Sequence, residues 1–389
     1  MRPRRVAAGR TEASNLTMHT NERLEQVILD VIAPAAPEVD RAGSFPSASI
    51  DALREAGFLA LISSKDVGGQ GEGPGAAVAT VERVARACGS TAMVLAMHYA
   101  GTVVIERFGS ERTRREIAAG RHLSTLAFSE SGSRSHFWAP VSTARREGDR
   151  VRLDASKSWV TSASHATAYV WSSRPLDAQG ESTVWLVPRE SSGVRSAAPF
   201  DGLGLRGNDS SPVVAEDVRI PEENRLGDDG GGLAVMLNVV LPLFSAMSAA
   251  CSVGLMERAV AGTVAHITGT RYQHLGSTLA DLPTIRAYVA RMKIATDQSR
   301  LLLDDTVRAL EGARADAMLR VLEVKAAAGE SATRVTDLAM RVCGGAAFRR
   351  EVGVERAFRD ARAATVMAPT TDQLYDFIGR ALCGLPVLG

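Results

Sequence analysis

Phe358 to Arg380 reads FRDARAATVMAPTTDQLYDFIGR, and the reading of this stretch decides the fold. Thr370, Thr371 and Asp372 read as a helix N-terminus, with hydroxyls suited to capping and an acid that complements the helix dipole. Just before them stands Ala368, which can neither take a proton nor hold a charge. Other distinctive stretches lie upstream. Ser129 to Ser135 is SESGSRS, and Val151 to Ala163 is VRLDASKSWVTSA. Gly202 to Gly227 is GLGLRGNDSSPVVAEDVRIPEENRLG, and VCGGAAF at Val342 to Phe348 precedes VERAFRDAR at Val354 to Arg362.

Around these stretches, periodicity divides the chain into three parts. From Glu22 to about Gly120 the apolar residues recur at helical spacing, as in Leu24, Val27, Ile28 and Val31, then Ile50, Leu53 and Phe58, then the run from Ala76 to Phe108. From Leu123 to about Leu226 the period shortens to two and β-branched residues cluster, as in WVTSASHATAYVWSS and STVWLVP, separated by polar turns such as Leu176 to Glu181. Beyond Gly230 to Gly232 the helical pattern returns and continues to Leu388, broken at GTRYQHLGS and DLPT, which predicts several long helices. No internal repeat or low-complexity tract is present. Within the β part, Gly202, Gly204 and Gly207 spell G-x-G-x-x-G, the dinucleotide fingerprint. That fingerprint works by opening a helix whose amides hold a pyrophosphate. Here Asn208, Asp209, two serines and a proline lead into the strand-like Val213 to Val218, so a glycine-rich turn between strands is expected instead.

Composition narrows the class without naming it. With 389 residues, 45% of them hydrophobic, the chain can bury large cores in two or three domains. A net charge of +1 gives no bias toward nucleic acid. The N-terminal MRPRRVAAGR is basic but lacks the apolar stretch of a signal peptide, and no window reads as a membrane span, so a cytoplasmic protein with no membrane partner is expected. Cys88, Cys251, Cys343 and Cys383 lie far apart with no C-x-x-C spacing, which predicts free thiols and no metal site.

Taken in order, these stretches resemble the motifs of the acyl-CoA dehydrogenases from roughly Asn21 to the C-terminus. The resemblance implies an α+β fold: an N-terminal helical domain over 21–120, a middle β-barrel or sandwich domain over 121–232, and a C-terminal four-helix-bundle domain over 233–389. Residues 1–20 are expected to be disordered. Flavin adenine dinucleotide (FAD) would lie between the β domain and the bundle. Trp159 and Thr161 stand where the family sets aromatic and hydroxyl residues against the flavin, and Ser129, Ser131 and Ser135 stand in the loop that donates to its pyrimidine side. Arg271, Gly344 and Gly345 match the arginine and the G-G-x-G backbone used for the pyrophosphate and adenosine, the arginine commonly coming from a neighbouring subunit. The spacing from Arg271 to Gly276 is one residue longer than usual. Thr370 and Asp372 complete the cofactor set at the start of the last helix. The same resemblance implies a homodimer or homotetramer.

The family's base for α-proton abstraction is a glutamate at the position of Ala368. Some members carry it instead on the first long bundle helix, at or near Phe244, with an arginine where Ser245 stands. Both positions lack a carboxylate here. Asp372, one turn beyond Ala368, and His136, beside Phe137 and Trp138, are the candidate replacements, although Asp372 reads first as a helix-start acid. His98 in MVLAMHYAG is a further histidine, read first as a core residue. Glu130 matches a family glutamate that is not the base. The expected function is FAD-dependent oxidation of an acyl thioester, on coenzyme A or a carrier protein, by an atypical or relocated base. One alternative is a flavin-dependent monooxygenase on the same fold. Another is a redox-silent flavin-binding or carrier-docking subunit. An electron acceptor or a flavin reductase would be the redox partner.

Overall fold

The computed structural model describes residues 21–134 and 136–388; the disorder expected over 1–20 and the role expected of Ser135 lie outside them. The first part is helical: α1 (Ala33–Ala42), α2 (Ser47–Glu55), α3 (Pro74–Ala87), α4 (Gly89–Phe108) and α5 (Glu111–Ala118). Helix α4 is apolar on every side and buried continuously from Gly89 to Thr102, as a helix without a polar face must be. It packs on α3 and runs against the first strand of the β domain. At Gly101 a Cβ would stand 2.7 Å from that of Ser124, so only glycine lets helix and strand approach this closely.

Among the described residues the middle part holds seven strands: β1 (Ser124–Ala127), β2 (Thr143–Glu147), β3 (Arg150–Val160), β4 (Ala168–Ser173), β5 (Thr183–Pro188), β6 (Val194–Ser196) and β7 (Ser211–Pro221). They form a three-stranded sheet, β1-β4-β5, and a four-stranded antiparallel sheet, β2-β3-β7-β6. One core joins them: Val151, Leu153, Val213, Val218 and Ile220 from the larger sheet meet Tyr169, Trp171, Trp185 and Val187 from the smaller. The Gly202–Gly207 turn leads into β7 with no helix after it, as expected. At Gly204 a Cβ would lie 2.3 Å from the backbone oxygen of Arg359, so this glycine lets the β domain abut the C-terminal helices.

The last part is a bundle of α6 (Leu241–Gly269), α7 (Pro283–Glu311), α8 (Ala317–Cys343) and α10 (Thr371–Leu382), with the short α9 (Val354–Ala361) alongside. Short links make α6, α7 and α8 alternate in direction. Two contacts fix the ends: Cys343 Sγ lies 3.9 Å from Thr263 Oγ1, and Thr306 Oγ1 lies 3.3 Å from the Arg320 carbonyl. One expectation needs correction. The helical run Gly232–Gly269 is long and apolar enough to cross a membrane. With 67% of that apolar window buried inside the fold, its hydropathy belongs to a central bundle helix packed on α3, α7 and α8. Cys88, Cys251 and Cys343 are buried free thiols and Cys383 is an exposed one, as the spacing predicted.

Candidate functional site

The β-domain side of the site is built on an irregularity in β3. Its pairing with β7 shifts register between Lys157 and Val160, and Trp159 falls in that bulge with φ of +59° and 71% exposure. A bulge re-aims a side chain off the sheet, which here turns an indole outward beside buried neighbours. The Ser129 loop lies against it, because the Ser158 amide donates to the Ser129 carbonyl at 2.9 Å. Thr161 is buried, and its hydroxyl shares a hydrogen bond with Ser210 Oγ at 3.1 Å. Ser131 is exposed on the loop. So Ser129, Trp159 and Thr161 are brought together at one edge. Around it the buried atoms Ser133 Oγ, Ser162 Oγ and Asn208 Oδ1 have no hydrogen-bond partner.

The loop is anchored from inside by an ion pair that the sequence reading did not find. Lys157, fully buried, donates to Glu130 Oε1 at 2.5 Å, to the Ser172 carbonyl at 2.7 Å and to Ser172 Oγ at 3.0 Å. Glu130 in turn accepts from Val141 N, Ser142 N and Ser142 Oγ at 2.8, 3.0 and 2.6 Å. Burial alone would raise the Glu130 pKa, but the Lys157 ammonium and these donors hold it below its ordinary value. Period-two counting carried the clue, since Lys157 is two residues on from Ala155 and four from the inward-facing Leu153.

The residues weighed as bases separate cleanly. His98 is a core residue: its Nε2 lies 2.8 Å from the Leu59 carbonyl, and its Nδ1 accepts from Ser124 N at 3.1 Å. Those partners fix a neutral tautomer with the proton on Nε2, and burial lowers its pKa to about 4. His136 is exposed, with its ring edge-on to Trp138 at 5.0 Å. Trp138 in turn reaches Phe377 of α10 at 5.9 Å, so this loop closes onto the bundle. Asp372 is exposed in the first turn of α10. That turn is closed by a capping box, in which Gln373 N donates to Thr370 Oγ1 at 3.4 Å and Thr370 N donates to Gln373 Oε1 at 3.1 Å.

Ala368 and Phe244, the two positions read as base-less, share an unforeseen neighbour. Lys325 of α8 is 1% exposed. Its Nζ donates to the carbonyls of Met367 at 2.9 Å and Pro369 at 2.7 Å, one on each side of Ala368, and stands 6.0 Å from the Phe244 ring centroid. Burial pulls its pKa down from 10.5 to about 7. In VLEVKAAAGE it reads as an ordinary helical lysine. The available signal was its place on the buried stripe of Val321, Ala328 and Ala332.

The third group lies at the far end of the bundle. Arg271 is exposed in the link between α6 and α7, and its side chain makes no hydrogen bond or ion pair among the described residues. Gly344 (φ +58°) and Gly345 follow α8 at that same end, with open space where a Cβ would stand. A cleft of about 420 Å³ bounded by Arg86, Glu257, Arg258 and Gly353 contains none of these residues.

Three family profiles cover most of the chain. They are described as acyl-CoA dehydrogenase N-terminal, middle and C-terminal domains and match residues 19–120, 125–218 and 230–383. The cyclohex-1-ene-1-carbonyl-CoA dehydrogenase of Geobacter metallireducens is 30% identical over 380 residues, covering 96% of this chain and 98% of that protein. The human mitochondrial short-chain specific acyl-CoA dehydrogenase is 29% identical over 351 residues, covering 87% of this chain and 83% of that one. The solved structure of butyryl-CoA dehydrogenase from Megasphaera elsdenii shares the fold at a TM-score of 0.87 and 22% identity, covering 94% and 98% of the two chains. On its three matched domains, its helix–sheet–helix order and its motifs, this chain belongs to the acyl-CoA dehydrogenase family of flavoprotein oxidoreductases.

Proposed function

We propose that this chain oxidises an acyl thioester between its α- and β-carbons, with FAD held against Trp159. The observation that carries the reading is the β-domain edge. There an outward-turned indole, a hydroxyl-rich loop and buried polar atoms lacking partners stand together in a chain of this family. A flavin ring needs a flat apolar wall and donors at its polar edge, and Trp159 with the Ser129–Ser131 and Thr161–Ser162 hydroxyls fits that need. Its pyrophosphate needs a cation and a close approach to backbone, and Arg271 offers the first while the open space at Gly344 and Gly345 offers the second at one end of the bundle. When bound, FAD supplies the hydride acceptor.

The chain's own residues do the rest. Ser129 and Ser131 fix the polar edge of the site, the Glu130–Lys157 pair holds their loop in place, and Trp138 closes that loop against α10. Arg271, exposed and without a side-chain hydrogen bond or ion pair among the described residues, suits a cofactor shared between subunits, as in a homodimer or homotetramer. Apolar Ile294, Leu301 and Phe348, exposed on the outside of the bundle, suit the same assembly. A separate electron acceptor completes turnover, and the cytoplasm is the proposed compartment.

The test is product analysis. FAD-loaded protein given acyl-CoA or acyl-carrier thioesters with an artificial electron acceptor should yield a product lighter by two hydrogens. Trp159→Ala should keep the fold, since the indole is exposed, yet bind FAD about tenfold more weakly, the value of one lost aromatic stacking partner. A product heavier by one oxygen would instead identify a monooxygenase, and no product would leave the redox-silent alternative.

A further inference from the structure

Lys325 occupies a place in this fold that few lysines take. It is buried, and among the described residues no carboxylate pairs with it. A lysine taken out of water without a counter-ion is costly, and such groups concentrate where chemistry uses them. Nearby charges do not compensate for it. Glu323 on the same helix is bonded to Arg320 at 2.9 Å, Glu330 is exposed and acts on Tyr375, and Asp372 at the start of α10 is exposed. Neither α6 nor the 367–369 loop brings another charge to bear, and burial is the whole cause of the lowered pKa.

Its direct partners are two backbone carbonyls that flank Ala368. Both accept N–H donors whether the amine is charged or neutral, so the clamp survives loss of a proton. Two donors to two carbonyls leave one tetrahedral position of Nζ without a hydrogen-bond partner, on an atom 6.0 Å from the Phe244 ring centroid. Trp138, from the loop beside Trp159, packs in one apolar cluster with Val321, Leu322 and Ala326, the turn of α8 that carries Lys325. The flavin-side loop and Lys325 therefore belong to one corner of the molecule.

We propose that Lys325 is the proton-transferring residue of this site, its amine taking the place of the carboxylate absent at Ala368. The proposal rests on the thioester-oxidising reading above. As the free amine, Nζ takes the proton from the substrate α-carbon. The electron pair of that C–H bond becomes the second bond between the α- and β-carbons, and FAD, when bound, would supply the acceptor for the β C–H pair as hydride. The ammonium so formed stays on the Met367 and Pro369 carbonyls until its proton passes to water. A group half-neutral near pH 7 is well matched to this work.

Two variants separate a base from a structural clamp. Lys325→Arg keeps donors for the two carbonyls but cannot give up its proton, whereas Lys325→Met removes both functions. In FAD-loaded protein, both should slow thioester oxidation and α-proton exchange with deuterated solvent by about 10²- to 10⁴-fold, the usual contribution of a positioned base. FAD content and thioester affinity, read by absorbance and calorimetry, should stay near wild type. The wild-type rate should rise through a limb near pH 7 that both variants lack. An arginine variant with a wild-type rate and pH profile would make Lys325 a clamp and overturn the proposal, and it decides the question even where the methionine variant does not fold. Wild type that turns over while both variants stay within about tenfold of it overturns only this inference. Wild type that neither exchanges nor oxidises any thioester overturns the functional reading, and this inference with it.

Discussion

Lys157→Met should destabilise the protein by about 3–5 kcal/mol, because it leaves a buried carboxylate with no counter-ion. Lys157 and Glu130 are 0% and 1% exposed, and their side chains meet at 2.5 Å in the core of the β domain. The ammonium also sits 5.2 Å from the Trp171 ring, so its removal strips three polar contacts and a cation–π contact at once. The Ser142 and Val141 donors cannot by themselves offset the desolvation of a lone carboxylate. Pairing the change with Glu130→Gln should recover much of the loss, since neutral groups of similar shape escape that cost. Urea unfolding of the two variants measures both effects. A loss below about 1 kcal/mol for the single change would equate this pair with a surface bridge and contradict its burial. The loop it anchors carries Ser129, so weaker FAD binding should accompany the lost stability.

The second large effect is on how stability depends on pH. Lys325 has a folded pKa near 7 against 10.5 when free, so between those values the unfolded chain holds a proton that the folded chain does not. Stability therefore rises with pH across that window, and the contribution is absent below it. For this residue alone the gain from pH 6.5 to 9.5 is about 3 kcal/mol, taking roughly 1.4 kcal/mol for each decade of proton affinity. Lys325→Met should lack that increment while sharing every other titration with wild type. Unfolding free energies at the two pH values, compared between the proteins, isolate it. Parallel lines would mean that the carbonyls of Met367 and Pro369 keep the ammonium charged throughout.

The three-part order was legible because each part has its own period: helical to Gly120, two between Leu123 and Leu226, and helical again after Gly232. The glycines at 202, 204 and 207 could be read correctly because they lead into a strand and not a helix. The segment from Gly232 was rightly read as bundle helix, but its hydropathy was understated, since a bundle's central helix reaches the apolarity of a span. The β-side residues Ser129, Trp159 and Thr161 were readable as a set, but the bulge that turns Trp159 outward depends on how β3 and β7 pair. Lys325 was hidden for a physical reason. Its environment is assembled from Phe244, Met367 and Pro369, which are remote from it in sequence, and no local pattern encodes that meeting. His98 was rightly read as a core residue, but its partners Leu59 and Ser124, which come from two different parts of the chain, were not legible locally.

The central claim is that this chain oxidises acyl thioesters although alanine stands at residue 368. Its most direct test is the anaerobic absorbance of the FAD-loaded protein during titration with acyl-CoA and acyl-carrier thioesters. Loss of the flavin's visible band on adding thioester alone, with no other reductant, is the predicted result. A band that persists through the whole panel, in protein that retains its FAD, would contradict the claim.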